Sequence, residues 1–402
     1  MISVAEATAI IKEKTNALPA ERVALADALG RILAEDIIAD SDLPPFNRAQ
    51  MDGYAVRAED VEHVPVRLRI AGESAAGLGW HHEMKPGEAV RIMTGAPVPE
   101  GADSVQQVEA TRELDSGAFV EIQKSTTHGQ FIVPRAAEVR AGETVLMAGD
   151  EINAAMMAAL ASFGYAEVKV GGRPRVSVLA TGTELVGVDQ EPRLDQIRDS
   201  NSYSLAAYAA LAGACVKRLP LAGDDLETLQ QTITTAAASC DALILSGGVS
   251  MGVYDFTKAA LRALGAEIYF ERVSLRPGKP TVFARLGQTL VFGLPGNPVS
   301  VSVTFNLFAR TALRAMQGAR ESAMIHETAI LSRSAKGSID RESYLPACLE
   351  TNEEGHLIAS PLKWGGSSDF VSYTRATALI NIAAGVKLLH AGERVRIVRL
   401  PG

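Results

Sequence analysis

The sequence predicts a multidomain α/β protein with a central doubly wound α/β domain, an all-β insert, an N-terminal α/β domain and a small C-terminal β-barrel-like domain. Three observations carry that expectation. Between Asp241 and Ser300, short apolar runs alternate with glycine turns and helical patterns, the way open α/β sheets build binding crevices at strand carboxyl ends. Between residues 64 and 132 the pattern changes to short alternating runs, Val66-Leu68-Ile70, Val90-Ile92 and Val120-Ile122, broken by Gly and Pro clusters, which reads as all-β. After residue 329 short extended runs return, as in a small, half-open β barrel.

Composition bounds the rest. At 402 residues the chain has room for two to four domains. A hydrophobic content of 47% with 21% charged residues supports a sizeable core. No apolar run approaches the ~18–20 residues that span a bilayer, and the N-terminus lacks a basic region followed by an apolar block, so neither membrane insertion nor a signal peptide is expected. Cys215, Cys240 and Cys348 are widely spaced in apolar surroundings and read as reduced core thiols of a cytoplasmic protein. A formal net charge of −8 argues against general nucleic-acid binding.

In chain order, Ser3 and Glu6 form a capping box ahead of an amphipathic helix expected to stop near Leu18-Pro19. The prolines of Leu43-Pro44-Pro45-Phe46-Asn47 predict a stiff extended linker. It leads to Asp52-Gly53, which reads equally as a turn and as a carboxylate presented beside a flexible glycine. Thr94-Gly95 reads as a strand-to-turn boundary. A further helix spans residues 153–163. An apolar strand near Val176 then ends at Thr181-Gly182-Thr183-Glu184. Asp199-Ser200-Asn201 and Asp224-Asp225 offer N-caps to the next helices; Asp224 reads either as such a cap or, with Asp255 and Glu184, as part of a hard-oxygen set for Mg²⁺.

The buried strand at Ala242-Leu243-Ile244-Leu245 runs into SGGVSMG, where Gly247 and Gly248 let backbone approach a ligand and Ser246 and Ser250 add hydroxyls. That is a cradle for an anion. RPGKP (residues 276–280) and GLPGNPVS (residues 293–300) repeat the device, and Arg272, Arg276 and Lys279 cluster basic charge beside it. A last helix is expected from residue 298 to 317.

SGGVSMGVYDFTK, RPGKP, GLPGNPVS, PPF followed by MDGYAV, and RIMTGAPVP together resemble the molybdopterin molybdenumtransferases, the family of bacterial MoeA and the gephyrin E domain. The resemblance covers essentially the whole chain in one order. It implies an elongated N-terminal domain (residues 1–42 and 140–172), the β insert (43–139), a molybdopterin-binding domain (173–320) and a C-terminal β domain (321–402). It also implies insertion of molybdenum from molybdate into molybdopterin-AMP with release of AMP, dependence on Mg²⁺, a homodimer, and an upstream molybdopterin adenylyltransferase.

By the same resemblance, Asp52, Thr94, Glu138, Glu184, Asp224, Asp255 and Lys279 are catalytic, with Asp224 and Asp255 holding the metal. Binding falls to Thr181, Gly182, Ser246, Gly247, Gly248, Ser250, Gly252, Arg272, Arg276, Pro295, Gly296, Asn297, Ser300, Arg341 and Ser368. The chain departs from the pattern in GQFIVPRAAEV, residues 129–139. There Glu138 stands in place of an aspartate, and Phe131, Val133, Ala136 and Ala137 replace polar or glycine positions. Thr183 also stands where aspartate is usual. These departures motivate the rival reading, a molybdopterin-binding or scaffold protein that has lost the transfer step.

Overall fold

A computed structural model describes residues 1–223, 225–248 and 256–401. The chain forms two compact units. The first holds Met1–Glu35, Ala148–Ala154 and the chain from Glu167 onward; the second holds Asp36–Met147 and Ala155–Ala166.

The first unit is built on a six-stranded sheet in the order Cys215–Arg218, Arg175–Ala180, Ala242–Ser246, Thr289–Leu294, Pro280–Leu286 and Glu267–Arg272. The first four strands run parallel and the last two join antiparallel. Strand periodicity explains the unbroken apolar run at its centre. Ala242 and Ile244 pack on one face with Leu205, Val301 and Phe305. Leu243 and Leu245 pack on the other with Leu229, Ile233 and Leu261. Helices Asn201–Leu211 and Pro298–Thr304 therefore cover one side, and Leu226–Ala237 and Phe256–Ala263 the other. This is the doubly wound arrangement expected.

The capping box forms: the Ser3 hydroxyl accepts from the Glu6 N–H at 3.1 Å, and the Glu6 carboxylate accepts from the Ser3 N–H at 2.7 Å. The helix it opens, Val4–Lys14, stops short of Leu18-Pro19. Thr15 is already extended there, and its hydroxyl turns back to the Ile11 carbonyl, as a β-branched residue with a local hydrogen bond favours. The last helix is not continuous either. A π turn, Phe305–Ala309, separates Pro298–Thr304 from Arg310–Met316. Buried Thr304 and Asn306 donate side-chain hydrogen bonds to the carbonyls of Ser300 and Ser302, and such side-chain competition loosens the helical ladder.

The C-terminal strands close fully. Glu342–Thr351 pairs with Leu357–Pro361, followed round the ring by His326–Leu331, Arg394–Arg399 and Ala378–Ile382, which pairs back onto Glu342–Thr351. The half-open barrel read from the sequence is thus a closed five-stranded one, because strand periodicity shows which residues face inward but not whether the first and last strands meet.

The second unit is centred on another six-stranded sheet, Ser104–Gln107, Gly53–Val56, Glu88–Ile92, Val66–Ser74, Phe119–Ile122 and Thr111–Leu114 in order. Alternate residues face two clusters, one with Ala55, Val90, Ile92 and Val105, the other with Tyr54, Leu68, Val120 and Ile122. The expected extended linker bends through Pro44, Pro45 and Phe46, with a cis Leu43–Pro44 peptide. Two cysteines also differ from expectation. Only Cys240 is a core thiol; Cys348 is partly exposed and Cys215 is exposed, because Cys215 opens the edge strand of its sheet, where no further strand among the described residues covers it.

Candidate active site

The glycine turns sit at the carboxyl ends of the parallel strands. Ser246 ends its strand, and Gly247 and Gly248 follow at φ +97° and +64°, a region that favours glycine. Space demands glycine as well. A Cβ on Gly247 would stand 2.3 Å from the Thr181 carbonyl oxygen, and one on Gly248 2.6 Å from the Thr257 hydroxyl. Gly182 is pressed in the same way against the Glu184 carboxylate, 2.5 Å from such an atom.

Across the turn, the Asn201 amide donates to the Ser246 hydroxyl at 2.9 Å and to the Gly296 carbonyl at 2.6 Å. Its own side-chain carbonyl oxygen and the Thr181 hydroxyl are buried without a hydrogen-bond partner among the described residues. Thr181, Gly182, Glu184, Ser246, Gly247, Gly248, Pro295, Gly296, Asn297 and Ser368, all expected from the sequence, line one cavity of about 850 Å³.

A second cavity, of about 820 Å³, adjoins it along Pro280, Pro295 and Asn297. Arg276, Lys279, Ser300 and Arg341 line it as anticipated, and Arg333, Lys336 and Lys363 are added by the C-terminal barrel. Among the described residues, six of those lining it are cationic and none is a carboxylate, in a chain of net charge −8. Part of that charge is already engaged. The Arg276 guanidinium reaches the Gly337 carbonyl at 3.4 Å, Arg341 stands 3.4 Å from Asp340, and Arg333 donates to the Pro361 carbonyl. Ser300 enters from the first turn of helix Pro298–Thr304, and Asn297 donates to the Ser367 hydroxyl at 2.8 Å. Arg272 lines neither cavity; it ends strand Glu267–Arg272, where its carbonyl accepts from the Ile2 N–H.

In the second unit, Asp52 and Thr94 meet although 42 residues separate them in sequence. The Thr94 N–H and hydroxyl both donate to one Asp52 carboxylate oxygen, at 2.6 and 2.8 Å. These bonds, the backbone one first, hold the Asp52 carboxyl below the usual carboxylate range. Glu138 faces Arg48 at 3.5 Å, and Arg135 donates to Asp42 at 2.5 Å. Phe131 and Ala136 keep left-handed backbone, φ +56° and +60°, at two of the positions where the chain departs from the family pattern.

Asp224, Ser250, Gly252 and Asp255 lie outside the described residues. The neighbouring Asp225 is the N-cap of its helix, accepting from the Thr228 N–H at 2.8 Å. Among the described residues no group of three or more His, Cys, Asp or Glu side chains is placed to hold a metal. Sequence reasoning treated Asn201 only as a possible N-cap and did not single out Arg333, Lys336 or Lys363. For those three cations no local signal existed, because scattered basic residues in a polar β domain become a site only when the barrel docks beside the RPGKP turn.

Comparison with known proteins agrees with this architecture. Residues 2–164 match the MoeA N-terminal region (domains I and II), residues 177–315 a probable molybdopterin binding domain, and residues 328–400 the MoeA C-terminal region (domain IV). The chain is 35% identical over 384 residues to a molybdopterin molybdenumtransferase of Bacillus subtilis, covering 94% of this chain and 89% of that one. It is 35% identical over 409 residues to molybdopterin molybdenumtransferase 2 of Mycobacterium tuberculosis, covering 99% of both. A crystal structure of the molybdopterin biosynthesis MoeA protein of Pyrococcus horikoshii OT3 superposes with a TM-score of 0.86 at 28% identity, covering 100% of each chain. With the three family regions matched in order over nearly its whole length, the chain belongs to the MoeA family.

Proposed function

We propose that this protein is a molybdopterin molybdenumtransferase of molybdenum cofactor biosynthesis, which inserts molybdenum from molybdate into the dithiolene of molybdopterin-AMP and releases AMP. The observation that carries the reading is the pair of adjoining cavities, one lined by the glycine turns and one, among the described residues, by six cations and no carboxylate. Close-approach glycine turns suit phosphates, and a predominantly cationic hollow suits a tetrahedral oxyanion. A ligand with its phosphates on the turns places its dithiolene next to the oxyanion.

In this reading the turn at Gly247 and Gly248 binds and orients the phosphates. Lys279 and Arg276 hold molybdate, with the Ser300 hydroxyl beside them, and stabilise negative charge as oxygen is exchanged for sulfur. Arg341, Lys336 and Lys363 add to the same field. The described wall offers hard oxygens, the unpartnered Thr181 hydroxyl and Asn201 carbonyl and the Glu184 carboxylate, a donor chemistry that fits Mg²⁺, with Asp224 and Asp255 as its proposed ligands. When bound, that ion would offset charge on the phosphates as the anhydride is cleaved. Asp52 and Thr94, a preformed pair in the β insert, would complete the site of a partner subunit in a homodimer. A molybdopterin adenylyltransferase would supply the substrate, in the cytoplasm. Among the described residues no helix is long and apolar enough to cross a membrane. The division at residues 42/43, 139/140, 172/173 and 320/321 is part of the same proposal.

The test is AMP release from molybdopterin-AMP by purified protein in Mg²⁺, with and without molybdate. Molybdate-dependent release is expected, and Lys279→Ala should reduce it by at least tenfold, about the worth of one charge-assisted contact. Ligand that binds yet stays uncleaved under every condition would replace the transferase by a binding or scaffold protein.

A further inference from the structure

The central sheet carries another opening, at the amino ends of its strands and so at the opposite end from the glycine turns. Arg175 and Cys215 begin two adjacent strands, and Asp241 immediately precedes a third. Together with Glu21, Asp27, Arg31 and Arg173 they line a cavity of about 690 Å³.

The charges there are only partly settled among themselves. Arg175 binds Asp241 through both ends of its guanidinium, at 2.8 and 3.1 Å. Arg31 binds Glu21 at 2.5 Å and the Gly171 carbonyl at 2.8 Å, both through one terminal nitrogen. Arg31 is 5% exposed, and its Nε–H, buried in the wall, has no acceptor among the described residues. Arg173 and Asp27, one of each sign, make no ion pair among the described residues. The cavity therefore offers one unpaired cation, one unpaired carboxylate and the exposed thiol of Cys215, with the Arg31 guanidinium buried behind them. Carboxylate, ammonium and sulfur on one small molecule answer all of these.

We propose that Cys215 is a thiolation site, which exchanges with a low-molecular-weight disulfide that bears carboxylate and ammonium groups. Arg173, backed by Arg31, receives the carboxylate and Asp27 the ammonium. The Cys215 sulfur attacks one sulfur of the disulfide, the new S–S bond forms as the old one breaks, and the other half departs as a thiol carrying the proton that Cys215 gave up. Cys215 is oxidised and the departing half is reduced, so a dithiol reductant reverses the step. The other two cysteines serve as references. Cys240 is buried, and burial pushes its thiol up. Cys348 is partly exposed, and its thiol donates to the Arg375 carbonyl at 3.0 Å.

The experiment exposes the full chain to glutathione disulfide and, separately, to cystamine, which has ammonium groups but no carboxylate, and to neutral 2-hydroxyethyl disulfide. Peptide mass spectrometry follows modification of Cys215 relative to Cys348. Glutathione disulfide should favour Cys215 over Cys348 by about tenfold more than the neutral reagent does, the scale of one charge-assisted recognition. Cystamine, which engages Asp27 but offers nothing to Arg173, should show a smaller gain than glutathione disulfide. Arg173→Gln, an exposed substitution, should abolish the preference without changing the rate at Cys348. Equal normalised rates for all three reagents, or a preference that survives Arg173→Gln, would show only an exposed thiol and overturn the proposal.

Discussion

Asp52 and Thr94 show how much of the candidate chemistry rests on single contacts. The carboxylate accepts two hydrogen bonds from one threonine, and hydrogen bonds to the charged form lower a carboxyl pKa. Thr94→Val removes the hydroxyl and keeps the backbone N–H. The Asp52 pKa should therefore rise part of the way to the ordinary carboxylate value, as a carboxyl NMR titration would read. A folded-state pKa below the unfolded one contributes stability above the unfolded value, lost as pH falls through the folded value. The variant's destabilisation should accordingly appear near neutral pH and vanish in acid; an equal loss at both would assign it to packing. Ala136 is the converse case, an L-residue at φ +60°. Ala136→Gly should stabilise the protein by about 1 kcal/mol, since relief of left-handed strain outweighs the entropy glycine loses. An unchanged denaturation midpoint would mean that the strain is absorbed elsewhere.

The strand–turn–helix unit was the most legible element, because a parallel strand buried on both faces must be apolar throughout, and Ala242 to Leu245 are. The turn after it tests close approach directly. Gly247→Ala would drive a Cβ to 2.3 Å from the Thr181 carbonyl at a φ of +97°, so the turn must shift. We expect a loss of about 2 kcal/mol or more in unfolding free energy together with failure to bind AMP. Among the described residues a Cβ on Gly296 would meet nothing nearer than 3.9 Å, so Gly296→Ala should fold with wild-type stability while projecting a methyl group at the cavity wall. Calorimetry and AMP titration of the two variants separate folding from binding, and equal stabilities would refute the steric account. The π turn at Phe305–Ala309 was not legible. Its residues carry an ordinary apolar helical pattern, and only the packed environment sends Asn306 to the backbone.

Across the first unit, sheet and barrel together concentrate positive charge that the composition hides. A net charge of −8 coexists with a six-cation cavity because its lysines and arginines come from segments far apart in sequence, residues 276–279, 333–341 and 363. The combined variant Lys336→Gln and Lys363→Gln, in exposed positions of the barrel, should weaken molybdate binding by about tenfold and flatten its dependence on ionic strength. Titration calorimetry at two salt concentrations reads both. Unchanged affinity would confine oxyanion binding to the RPGKP side.

By itself, the sequence determined what local physics can carry: the capping box at Ser3, the buried strand, the glycines that must approach backbone closely, the alternating runs of the β insert, and the motifs that mark the family. Tertiary structure alone decided the rest. It closed the barrel, set Thr94 against Asp52, left Cys215 on an edge strand, and turned Arg333, Lys336 and Lys363 into a cavity wall. Strand periodicity and turn chemistry act between neighbours in the chain, whereas charge and hydrogen bonds act between neighbours in space.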